Sequence, residues 1–147
     1  MRKAVAGPRL GILFASLLAP LLVACENGAT AFMVEGKDHA LILVREQAYV
    51  WDSEVTQFIV ASRIPHCQRR VKIHSGTTTF ADMEVYDAGD RLWALHQGRR
   101  WYLAGTEKCL VQDWEPPGGR PPGPLVGTFR LKDGSPAFVA AEGAAQR

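Results

Sequence analysis

The sequence predicts an all-β domain: a small antiparallel sandwich or barrel of roughly eight to ten short strands, preceded by a cleaved signal peptide. Three observations carry this. The apolar runs are short and rich in Val, Ile, Leu and aromatic residues, as strands are. Turn signals such as Ser75-Gly76, Ala88-Gly89-Asp90 and Asp133-Gly134-Ser135 recur between them. No stretch keeps a helical spacing of apolar residues for long.

The elements follow in order. His39 to Glu46 (HALILVRE) is an apolar run of strand length. Tyr49 to Asp52 (YVWD) follows a short break and reads as a second strand. Val55 to Ser62 (VTQFIVAS) could be a helix, with Val55, Phe58, Ile59 and Ser62 on one face, but its β-branched residues suit a pleated surface better. Cys67 to His74 ends at Ser75-Gly76, and Thr79 to Asp87 alternates, with Ala81, Met83 and Val85 on one side. Arg91 to Gly105 reads as a hairpin turning at Gln97-Gly98, which sets Trp93 opposite Tyr102 and Leu92 opposite Leu103. Glu107 to Gln112 is a short strand containing Cys109. Pro116 to Pro124 (PPGGRPPGP) holds five prolines and three glycines, so it is a loop rather than a central strand. Leu125 to Lys132 and Pro136 to Ala140 flank a turn and form a second hairpin.

The amino end has a different character. Arg2, Lys3 and Arg9 precede fifteen uncharged residues, Leu10 to Ala24, broken only by Pro20. A membrane span needs about 20 apolar residues. A basic head with a shorter apolar run describes a secretory signal. Leu22-Val23-Ala24-Cys25 resembles the lipobox of bacterial lipoproteins: a branched apolar residue, a small or apolar one, Gly or Ala, then Cys. The resemblance implies cleavage before Cys25, a diacylglyceryl thioether on its sulfur, and acylation (palmitate or similar) of the new terminus. Under the enterobacterial sorting rule, Glu26 in place of Asp implies the outer membrane, with the domain facing the periplasm. A rival reading is the A-x-A pattern Ala29-Thr30-Ala31, which would release a soluble protein beginning at Phe32.

The expected layout is a signal peptide over 1–24, a tether over 25–31, one β-rich domain over 32–141 containing the loop 116–124, and a disordered tail over 142–147. The signal takes three of the 17 basic residues and none of the 15 acidic ones. The mature part is left near neutrality, which gives no argument for nucleic acid as a partner. Two cysteines remain, Cys67 and Cys109, and an oxidising compartment makes one disulfide the simplest reading. A metal site or reactive thiol is the alternative, but neither cysteine belongs to a C-x-x-C pair.

Candidate chemistry is sparse. His39, His66, His74 and His96 form no H-x-H or H-x-x-x-H pair, so neither metal nor cofactor is expected. Asp82, Glu84, Asp87 and Asp90 cluster without the spacing of a calcium loop. There is no G-x-S-x-G, H-E-x-x-H or phosphate-binding G-x-x-x-x-G-K, so no catalytic residue is assigned. Arg69, Arg70 and Lys72, together with Trp114 beside the proline loop, are the candidate binding surface. Trp51, Trp93 and Trp101 are expected mainly in the core. The expected role is a lipid-anchored envelope protein acting as a binding or structural module, with an envelope protein, glycan or lipid as partner. The alternatives are a carrier of a small apolar ligand or lipid, and an envelope hydrolase using His66, His74 or His96. In size, β-rich pattern and cysteine pair the domain is similar to lipid-tethered lysozyme inhibitors, although no inhibitory residue of theirs is matched here.

Overall fold

The computed structural model describes residues 27–144. The signal segment, the lipobox with Cys25, and the last three residues of the tail lie outside the described residues. The domain is all-β, with two antiparallel sheets. The first contains β1 (Asn27–Glu35), β2 (His39–Glu46), β3 (Glu54–Arg63) and β4 (Cys67–Lys72) in that order, with the short β5 (Gly76–Thr77) also paired to β3. The second contains β6 (Met83–Asp87), β7 (Leu92–Gln97), β8 (Arg100–Gly105), β9 (Leu110–Asp113), β10 (Leu125–Lys132) and β11 (Ser135–Ala140), in the spatial order β11-β10-β6-β7-β8-β9. The layers pack as a small sandwich.

Alternation explains the core. Leu41 and Leu43 of β2 and Ile59 and Ala61 of β3 point inward, together with Ile73 just after β4. They meet Met83, Val85, Leu95, Tyr102, Ala104, Val111 and Phe129 from the second sheet in one continuous cluster. Each full burial of a Leu, Ile, Val or Phe side chain is worth about 1.5–3 kcal/mol. Polar side chains bridge the layers: Gln57 donates to the His74 carbonyl (2.9 Å) and to the Gln97 side chain (3.0 Å), and the His74 amide donates to the Tyr102 hydroxyl (3.2 Å).

The two edges of the sandwich close differently. β4 meets β9, and the expected disulfide joins Cys67 to Cys109 across 42 residues of sequence. β1 meets β11, where Phe32 stacks on Phe138 at 4.2 Å with Trp93 edge-on to Phe32 at 6.3 Å. At one end of the sandwich, Glu107 accepts from Arg63 (3.0 Å) and from Arg91, and Arg91 also approaches Glu35 (3.7 Å).

Several expected boundaries shift, each for a local reason. β1 starts at Asn27, inside the expected tether: Asn27 to Ala31 pair with Glu46 to Ile42. Tyr49 to Asp52 is a turn, closed by the Asp52 amide on the Tyr49 carbonyl (3.0 Å), while the Asp52 carboxylate accepts from the Glu54 amide (2.9 Å). The hairpin turns at Gly98-Arg99, one residue later than expected. Gly98 supplies positive φ (62°) at the first turn position, as a type II′ turn requires. Trp93 therefore faces Ala104, and Tyr102 faces Leu95. The later turn keeps Gln97 within β7, where it bonds Gln57 and the Ala81 carbonyl. β6 begins only at Met83, and Ala81 lies before it, exposed. Cys109 sits in the turn before β9 at φ 47°, not in a strand.

Candidate functional site

β6, β7, β8 and β10 present one row of side chains on the outer face of the second sheet. Register sets Thr128 against Glu84, Glu84 against His96, and His96 against Trp101. The Trp114 amide, just past β9, then donates to the Trp101 carbonyl (3.2 Å) and extends the row. The row crosses from β10 to the β9 edge, about 19 Å at the usual inter-strand spacing. Its side chains touch in sequence. His96 Nδ1 lies 3.1 Å from Glu84 Oε2, and the Tyr86 hydroxyl donates to the same oxygen at 2.8 Å. The His96 ring stacks on Trp101 at 4.1 Å, Tyr86 lies 5.8 Å from Trp101, and Trp114 meets Trp101 edge-on at 6.5 Å.

Two open clefts flank the His96–Trp101 stack. One, about 300 Å³, is lined by Asp82, Glu84, His96, Gly98, Thr128 and Arg130. The other, about 510 Å³, is lined by Arg99, Arg100, Trp101, Asp113, Trp114 and Glu115. The connection from β9 to β10 must pass β8, β7 and β6 to reach its partner strand. Its Pro116 is buried, and Ala94, an outward position beside His96, is fully buried although it lies outside the core cluster. These burials fit a proline-rich connection laid over the Ala94 end of the outer face, leaving the adjacent row open. The hydrogen bond of His96, assisted by that of Tyr86 against the opposing effect of burial, holds the Glu84 carboxyl below the usual range. Burial, and then the Glu84 carboxylate, push the Tyr86 hydroxyl up to about 12. The row therefore offers a carboxylate acceptor, a neutral phenol, and aromatic rings open to one side.

The expected binding surface is divided. Arg69, Arg70 and Lys72 lie exposed on β4, in the first sheet. Arg70 is engaged by Glu46 (2.6 Å) and covers the Phe58 ring at 3.8 Å. Trp114 belongs with the second sheet and Trp101 instead. Two tryptophans depart from expectation: Trp51 is exposed, and Trp101 lies half-buried on the outer face, whereas Trp93 is half-buried against the core and Trp114 is partly exposed as expected. His66 and His74 are exposed, in the turn before β4 and the segment after it, while His96 is on β7, so no histidine cluster forms. Among the described residues, no group of three or more His, Cys, Asp or Glu side chains is placed to hold a metal. The sequence reading missed the Glu84–His96–Trp101 row because its members become neighbours only through register. The available signal was parity: His96 and Trp101 stand at equal distances from the Gly98-Arg99 turn.

Comparisons with protein-family models, curated proteins and solved structures find no match to the chain.

Proposed function

We propose that the mature chain is a lipid-anchored envelope protein, held by Cys25 at the outer membrane and facing the periplasm. Its domain is a binding module rather than an enzyme, and the Glu84–Tyr86–His96–Trp101–Trp114 row takes a glycan of the envelope. The single observation behind the ligand class is the row itself. Tryptophan faces suit the C–H faces of sugar rings, while Glu84, Asp82, Asp113 and Arg130 offer hydrogen-bond partners for hydroxyls around them. Binding sites of this type fix orientation with a few polar groups beside aromatic walls.

The start of β1 supports the anchor. Cleavage after Ala31 would strip Asn27 to Ala31 from β1 and leave Ile42 to Glu46 without those partners. Cleavage before Cys25 keeps the strand whole. The apolar-carrier reading has less support, because the clefts are open and polar-lined and the sheets meet in packed side chains. The hydrolase reading has less support, because His96 is engaged by the Glu84 carboxylate rather than by a hydroxyl or thiol among the described residues.

Calorimetric titration with soluble oligosaccharide fragments of the envelope tests the ligand class. Wild type should bind, and Trp101→Ala should weaken binding by roughly tenfold to a hundredfold, as loss of a central aromatic contact does. Absence of binding by wild type across the fragment set refutes the glycan reading. The intact mass of protein taken from membranes tests the anchor: it reports cleavage site, lipid load and disulfide together.

A further inference from the structure

The β2–β3 connection, expected from sequence to be a strand with Trp51 in the core, carries the most exposed large apolar ring among the described residues. Trp51 is 81% exposed and Tyr49 57% exposed, and their rings stack at 5.3 Å with an interplanar angle of 13°. Exposed aromatic rings in water are costly. These are also built to stay where they are. Gln47, itself buried, donates through its side chain to the Asp52 carbonyl (2.5 Å), and the Asp52 amide closes the turn on Tyr49. The Thr78 amide then ties the far side of the connection through the Ser53 carbonyl (3.0 Å).

This turn lies beside the point where the chain enters the domain. The Gln47 amide donates to the Asn27 side chain at 3.2 Å, and Asn27 pairs with Glu46. Asn27 is two residues from Cys25, so at most about 7 Å of extended chain separates them. The headgroup layer on each side of a bilayer is of similar depth, about 5–8 Å, the difference between total and hydrocarbon thickness shared by two leaflets. A lipid on Cys25 therefore holds Asn27, and whatever adjoins it, at headgroup level. Trp and Tyr are the side chains that settle there, with an apolar ring and a polar tip.

We propose that the stacked Tyr49–Trp51 pair is a second membrane contact, entering the headgroup layer beside the Cys25 lipid and fixing the tilt of the domain on the bilayer. The proposal rests on the lipid-anchor reading above. The turn itself is acidic, through Asp52 and Glu54, and the nearby Arg70 is engaged by Glu46. Ring burial rather than attraction to anionic lipid therefore drives the contact, and it should persist in zwitterionic membranes.

The test uses the full-length protein, purified from membranes, its lipid load read by mass, and reconstituted into phosphatidylcholine vesicles containing brominated acyl chains. Trp51 is one of four tryptophans. Wild type should lose a measurable part, at most about a quarter, of its tryptophan emission to bromine, and Trp51→Phe, an exposed change that should fold normally, should lose almost none. Replacing phosphatidylcholine by an anionic lipid should leave the quenching unchanged. Equal quenching of wild type and Trp51→Phe in lipidated samples overturns the membrane contact alone, and leaves the ring pair to a protein or glycan. A mass showing no lipid on Cys25 overturns the anchor, and this proposal with it.

Discussion

Where β4 meets β9 the sandwich is fastened by a covalent bond, and where β1 meets β11 it is held by packing. The strands explain the difference. β9 has four residues and begins only after the Cys109 turn, and β4 has six, mostly exposed. Val71 and Val111 carry the apolar contact of these strands with the core, beside the two cysteines. β1 has nine residues, and Phe32 reaches Phe138 across the layers, with Phe138 leaning edge-on against the buried Phe129 at 5.1 Å. At one edge stacked rings join the layers; at the other, where β4 is mostly exposed, a covalent bond does.

The comparison can be broken first at the covalent edge. Replacing both cysteines by Ala should cost about 4 kcal/mol, the chain-entropy value for a loop of this length, and would show as a lower denaturant midpoint with m raised, because the unfolded chain without the crosslink exposes more surface. A loss under 1 kcal/mol would mean that β9 packs well enough alone. Next is the packed edge. Phe138→Ala removes the stack on Phe32 and the contact with Phe129, and should cost about 3 kcal/mol in the same titration, at the low end of the range for a buried ring. Gly127→Ala sharpens the point from the opposite direction. A Cβ there would overlap the Phe138 ring and the Val139 carbonyl oxygen, so β11 must shift, at about 1–3 kcal/mol. Thermal melts showing Gly127→Ala as stable as wild type would mean that the β11 edge is looser than its geometry.

The centre of the second sheet should respond less, and through pH. Glu84 is held below its ordinary value of 4.5, so its contribution is complete above that value and lost as pH falls through the lower folded value. Tyr86 is raised from 10.0 to about 12, so its contribution is complete below 10 and lost as pH climbs towards 12. Glu84→Gln should flatten the acid limb of a stability–pH curve, and Tyr86→Phe the alkaline limb. Unchanged limbs would mean that the hydrogen bonds at Glu84 Oε2 do not persist in solution.

Much of this was legible in the sequence where signals are local. β2 and β10 occupy His39–Glu46 and Leu125–Lys132 as read from their apolar runs and flanking breaks, and the cysteine pair followed from compartment and count. What escaped depends on partners. Asn27 to Ala31 are small and polar residues without a strand pattern, and they become a strand because β2 offers an edge to pair with. Trp51 looked like a strand residue because its neighbours are aromatic and β-branched, yet the buried Gln47 folds that segment into a turn. The outer row needs Glu84 and His96, twelve positions apart, to face each other, and a turn misplaced by one residue was enough to hide the His96–Trp101 pair.

The exposed charges of β4 acquire a meaning from their place at a sheet margin. An outermost strand presents open backbone groups on which another copy can add, and cationic side chains are a common guard against such addition. Arg69→Thr with Lys72→Thr should therefore leave the melting temperature nearly unchanged while raising the share of oligomer in sedimentation; a purely monomeric variant would strip those residues of this role. If Cys25 carries the proposed anchor, neighbouring copies would meet edge to edge on the membrane, and like charge along this margin would keep a crowded population dispersed.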